Sequence, residues 1–170
     1  MSEHWRQPIS FQAPCSPTSR PPIAKPARQR RQLRRERFTR ALNRLADADL
    51  VFVDPDNGLA PNSFSHGSTK AGKSVLFNAL LELARQGGRS LIVYHRHSRR
   101  RGGHHAEIEY WAERLRACGF STVDALRART YSPRVHFLLN ATPELCRRAE
   151  QVATHWEGLI AWHRDTTGSA

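Results

Sequence analysis

What this chain lacks narrows it before any motif is read. No glycine occurs in residues 1–35, so that stretch carries none of the Gly-rich turns on which nucleotide cofactors rest in open α/β folds. Cysteine is scarce: Cys15, Cys118 and Cys146 fit no metal-ligand spacing and cannot all pair, which points to a reducing compartment and a cytoplasmic protein. No apolar run approaches the length of a membrane span, and the N-terminus has no secretory-type apolar core. A membrane is therefore not an expected partner. Acids are few, 15 against 27 Lys plus Arg, a formal charge of +12. That balance suits a polyanionic partner, nucleic acid above all, better than a small neutral ligand. It bears on partners, not on fold.

At 170 residues the chain suits one domain with a real core. Six of the ten prolines fall in residues 1–26, so 1–28 reads as a disordered, basic, Pro-rich arm. The low acid content of the first 35 residues also overlaps the composition of an organelle transit peptide. An α/β domain is expected over 29–164 and a flexible tail over 165–170. Arg28 to Arg40 holds seven arginines and one acid, Glu36. Phe38, Ala41, Leu42 and Leu45 then fall on one helical face, which predicts an amphipathic helix over roughly 29–46.

Beyond it the periods alternate. Leu50-Val-Phe-Val53 and Ser90-Leu-Ile-Val-Tyr94 are short continuous apolar runs, the mark of buried strands. Helical spacing is predicted over Ser74–Gln86 and over His105–Cys118, the latter through Ile108, Trp111, Ala112 and Leu115. Strands follow over Phe120–Ala128 and Arg134–Asn140. Thr142-Pro143-Glu144 opens a last helix in the preferred way, a hydroxyl, a proline and an acid. Its buried face is read as Leu145, Ala149, Val152, Trp156 and Leu159.

Three groups of residues carry chemistry. Gly67 to Ser74 matches the phosphate-loop pattern G-x-x-x-x-G-K-S, the basis of a nucleotide-hydrolase reading. Such a loop must leave a buried strand directly, yet ten turn-forming residues, Asn57 to His66, stand between. A flexible basic loop before a core helix is the competing reading. Asp54-Pro55-Asp56-Asn57-Gly58 lies at the carboxyl end of a strand, where open α/β sheets bind ligands, and its carboxylates and amide form a compact acceptor set. An Asx-capped turn is the plain alternative. His95, His97, His104 and His105 could converge at one sheet edge. Neighbouring arginines disfavour a metal there, so no metal ligands are assigned, and a basic phosphate-contacting loop competes with a solvated one.

The run DLVFVDPDNGL, a Lys-bearing loop, GGRSLIVYHRHSR and the strand from Arg134 resemble a family of uncharacterised bacterial proteins bearing a DPDNGL motif. More remotely they resemble the C-terminal half of Rossmann-like S-adenosylmethionine-dependent methyltransferases, over about residues 36–141. The resemblance implies a three-layer, mostly parallel sheet of about four strands, with 134–140 antiparallel between the last two elements. It gives Asp54, Asp56 and Asn57 the catalytic end, and Pro55, Gly58, Lys73, Tyr94, His95 and Arg96 the substrate side. Asp56-Asn57 stands where that fold keeps Pro-aromatic, and the cofactor-binding half has no counterpart. S-adenosylmethionine is thus the implied cofactor of a chain short of its site. Arg30, Arg31, Arg34, Arg35, Arg99, Arg100 and Arg101 are the candidate nucleic-acid contacts. A non-enzymatic nucleic-acid or protein-binding remnant of the fold is the other reading. With the missing half absent, the strand 50–54 becomes a sheet edge, to be covered by the arm, a partner subunit or a second copy.

Overall fold

A computed structural model describes residues 26–61, 64, 69–85, 88–98, 100–129 and 132–165. Residues 1–25 of the expected arm, Cys15 among them, together with Gly67 and Arg99, lie outside them, and 27–28 belong to the first helix. Helix α1 spans Ala27–Arg44, beginning two residues before the expected boundary. Strand β1 is Leu50–Val53, and β2 (Gly58–Leu59) and β3 (Ser74–Val75) form a small parallel ribbon. Helix α2 (Phe77–Arg85), β4 (Ser90–Arg96), α3 (Gly103–Ala117), β5 (Val123–Ala128), β6 (Arg134–Leu139), α4 (Pro143–His155) and β7 (Ile160–His163) follow.

The main sheet has five strands in the order β1-β4-β6-β5-β7. It is mixed, which corrects the expected mostly parallel sheet of about four: β1 and β4 pair in parallel, and every other neighbouring pair is antiparallel. The reason is the short β5–β6 connection, which turns the chain back on itself, and a β7 that the sequence did not announce. Strand 134–139 is antiparallel as expected, and it sits between β4 and β5. Hence β1, β4 and β5 all run one way.

Alternation along the strands divides the residues between two unequal faces. Val51, Leu91, Val93, Val135, Phe137, Leu139, Val123 and Ala125 join one buried cluster with Leu42 of α1 and Leu45 at its C-cap, Leu80 and Leu83 of α2, and Ile108, Trp111 and Leu115 of α3. On the opposite face α4 packs at β5 and β7. There Asp124 accepts the Cys146 thiol at 3.5 Å and the Asp165 N–H at 2.8 Å. Asp165 also accepts the Val123 N–H and the Arg116 Nε–H, so the first residue of the expected tail is fastened to the sheet.

The last helix opens as its sequence predicts, with the Thr142 hydroxyl accepting the Leu145 N–H at 3.3 Å. Its expected buried face is corrected. Helix α4 ends at His155, Val152, Trp156 and Leu159 are exposed, and only Ala149 is fully buried. Trp162 lies on β7. The helix expected from Ser74 starts instead at Phe77, because Ser74 and Val75 pair with Gly58 and Leu59. No helix among the described residues is long and apolar enough to cross a membrane.

Candidate functional site

The DPDNGL segment leaves β1 and folds back over the end of β4. Asp54, Asp56 and Asn57 are exposed and Pro55 is half-buried. The Pro55 carbonyl accepts the Gly58 N–H at 3.2 Å, and the Lys73 carbonyl accepts the Asn57 N–H at 2.7 Å. Lys73 Nζ stands 3.5 Å from Asp56 Oδ2, with both side chains more than half exposed. Water screens that pair, so it orients the turn more than it stabilises it.

Gly58 is dictated by geometry. Its φ is +88°, and a Cβ built there would lie 2.4 Å from His95 Nδ1 and 2.6 Å from His95 Cα. This close approach lets the Leu59 N–H reach His95 Nδ1 at 3.0 Å. The neutral His95 ring therefore carries its proton on Nε2, facing Glu107 Oε1 at 3.5 Å. Burial drives the His95 pKa from 6.5 down to about 4, against the pull of Glu107. The contact is thus a neutral imidazole beside a carboxylate, too loosely aligned to form a hydrogen bond.

Glu107 is the centre that the sequence reading missed. It is 1 % exposed, and its two oxygens accept the Ser98 N–H at 2.9 and 3.1 Å. His97 Nδ1 lies 3.3 Å from Oε2. Burial opposes ionisation of Glu107, but the Ser98 and His97 contacts outweigh it and hold the carboxyl below its usual pKa. A signal existed, since Glu107 falls one turn before Trp111 on the apolar stripe of α3, where an acid needs a partner.

The expected convergence of the histidines occurs: the His97 and His104 rings stack at 4.4 Å, from the end of β4 and the first turn of α3. Of the expected substrate-side residues, Gly58, Lys73 and His95 come together at the turn. Tyr94 points to the opposite face, where its ring meets His136 at 5.7 Å. Arg96 is exposed at the strand end, and His95 packs on Trp111 at 4.9 Å. Among the described residues no group of three or more His, Cys, Asp and Glu is arranged to hold a metal.

The phosphate-loop pattern does not form its expected structure in the part described. Thr69–Lys73 is a 3-10 turn and Ser74–Val75 a strand, so Lys73 and Ser74 do not open an α-helix. A helix dipole cannot act on a phosphate there. On α1, Arg31 and Arg35 are exposed while Arg30 and Arg34 are half-buried. Arg100 lies far from α1 in sequence, its guanidinium 3.6 Å above the Tyr110 ring, and Arg101 is exposed. Compared with protein-family models, curated proteins and solved structures, the chain matches none.

Proposed function

We propose that this chain is a nucleic-acid-binding α/β domain that reads the phosphate backbone rather than base sequence. The observation that carries it is α1: eight arginines and one acid within 18 residues, with no buried residue before Leu42. That helix is about 27 Å long at 1.5 Å per residue. Its first two and a half turns bury no residue, and Arg28, Arg31 and Arg35 there are exposed for contact with a polyanion. Few aromatics stand near them, which argues against base stacking.

The test is fluorescence anisotropy with labelled single- and double-stranded oligonucleotides across a salt series. Affinity should fall steeply with salt. The Arg31→Gln/Arg35→Gln variant should flatten the log–log slope by roughly two. Binding indifferent to salt, or unchanged in the variant, overturns the proposal.

A second reading rests on the strand directions. Three co-directional strands with an antiparallel one between the last two are the arrangement implied by the methyltransferase resemblance, and β1 is the edge where a further half would attach. The residues described do not fit S-adenosylmethionine, since among them no strand lies on the outer side of β1 and no Gly-rich turn precedes it. On this reading the cofactor-binding half comes from a partner docked at Leu50 to Asp54. The chain alone should then give no heat when titrated with S-adenosylmethionine, and saturable micromolar binding by the chain alone would refute this arrangement.

A further inference from the structure

The outer edge of β1 is unpaired among the described residues. Its ladder with β4 shows which groups point outward. The Asp49 carbonyl accepts the Ser90 N–H at 3.0 Å, and Leu50 to Val53 lie level with Ser90 to Val93 in parallel. Backbone groups in such a ladder alternate sides, so Asp49, Val51 and Val53 face β4 while Leu50 and Phe52 present N–H and C=O outward. The same two side chains are 40 % and 38 % exposed. They lie on the face opposite the main core, where α4 packs at β5 and β7 and the Phe52 ring meets His136 at 6.1 Å. A strand edge and an apolar face are thus open at one place, which folded proteins normally cover.

Charge selects among the occupants. Between Leu45 and Thr69 the chain has no Lys or Arg, and Asp47, Asp49, Asp54 and Asp56 are all exposed around β1. Of the four, Asp56 has Lys73 at 3.5 Å. On a chain of charge +12 this is an acidic border. Two copies of β1 paired edge to edge would bring those acids together, and a polyanion is repelled by them. A basic, extended segment suits the edge. Residues 1–25, outside those described, contain Arg6, Arg20 and Lys25 against Glu3. They also hold a run of strand period, with Trp5, Ile9 and Phe11 on one side and Arg6, Pro8 and Ser10 on the other. Reach is sufficient. Residues 12–25 span up to about 46 Å when extended, at about 3.3 Å per residue, against about 27 Å for α1. Strand β1 begins at Leu50, soon after α1 ends at Arg44.

We propose that residues 5–11 of this chain add to β1 as an antiparallel strand, β-augmentation by the protein's own N-terminal segment. Proline sets the direction. In an antiparallel pair, residues whose side chains lie beside Leu50 and Phe52 also turn their backbone groups to β1, so Trp5, Ile9 and Phe11 bond to it and Pro8 faces solvent. A parallel strand with the same apolar face would turn Pro8, which has no N–H, toward β1. The register that gives both exposed residues an apolar neighbour sets Ile9 opposite Phe52 and Phe11 opposite Leu50. Arg6 is then level with Pro55, between Asp54 and Asp56. This strand does not depend on the arginines of α1, and it occupies the edge that the second reading leaves to a docked half.

Amide hydrogen exchange of the full chain, read residue by residue, tests this. Leu50 and Phe52 should exchange about a hundredfold slower than unbonded amides. Val51 and Val53, bonded to β4, report that the sheet is intact. Ile9→Pro deletes an N–H aimed at β1, and should speed exchange at Leu50 and Phe52 about tenfold or more while leaving Val51 and Val53 unchanged. Pro8→Ala should alter none of them. Neither substitution touches the buried core, so loss of the fold does not mask the result. Unprotected Leu50 and Phe52 in the intact chain would overturn the proposal and leave the edge to a partner. Unchanged exchange in Ile9→Pro, or equal damage from Pro8→Ala, would overturn it as well. Protection that fades on dilution, with light scattering giving twice the monomer mass, would assign the edge to a second copy and overturn it too.

Discussion

Asp56 and Glu107 are two acids at the same end of the sheet, held in opposite ways. Asp56 belongs to the most conspicuous motif in the chain, yet its carboxylate stands in water with one exposed lysine 3.5 Å away. Glu107 belongs to no motif. It is sealed under α3 with the Ser98 N–H, His97 and His95 around it. A motif in the sequence identifies a backbone shape, here the turn that Gly58 makes against His95. Burial, which decides how much an acid matters to stability, depends on what the rest of the chain lays over it.

The comparison can be broken most directly at its buried end. Glu107→Ala should destabilise the fold by about 2–5 kcal/mol, because the buried Ser98 N–H and His97 Nδ1–H lose their acceptor at about 1–3 kcal/mol each, measured by urea unfolding. A loss under about 1 kcal/mol, the surface ion-pair range, would mean that Glu107 is no better held than Asp56. Next comes Gly58→Ala, which must adopt a left-handed φ and press on the His95 backbone. The expected cost is about 3 kcal/mol, combining roughly 1–2 for the dihedral and 1–3 for overpacking. Full stability in that variant would show that the turn and His95 are not in contact.

Acid sharpens the contrast. The folded-state pKa of His95 lies at about 4, below its unfolded value of 6.5, so the unfolded chain gains the proton first as pH falls. Stability is full above about pH 6.5 and is lost between there and about pH 4. A displacement of that size is worth up to about 3 kcal/mol. His97, His136 and His163 shift in the same direction. Thermal melts at pH 7.5 and 5 should therefore differ by many degrees, and a conservative His95→Gln variant should narrow the gap. An unchanged gap would place the titrating group elsewhere. Smallest is Asp56→Ala, expected to cost under about 1 kcal/mol because its partner is solvated. A larger loss would give the exposed acid a structural role that its geometry does not support.

Much of the fold was legible. The arginine-rich helix, the strands at β1, β4 and β6, the body of α3 and the Thr142 cap all appear close to where local pattern puts them, because each depends on neighbours within a few residues. The errors share a cause. Ser74 and Val75 were read as helix, but their pairing with Gly58 and Leu59 bridges a loop. Trp156 and Leu159 were read as buried, but the chain turns after His155 and makes β7 at Ile160. The convergence of His97 with His104 was legible as proximity along the chain. The contact of His105 with the His163 ring was not, since His163 stands on β7, a strand that only its pairing with β5 defines.

The sequence by itself determined the charge, the arginine helix and the glycine turn after β1, for these follow from composition, period and the φ that only glycine adopts readily. Tertiary structure decided which acid is buried, which strands are neighbours and which donors are left without partners. Those outcomes depend on which distant segments share a sheet and what covers it, and no local pattern encodes that.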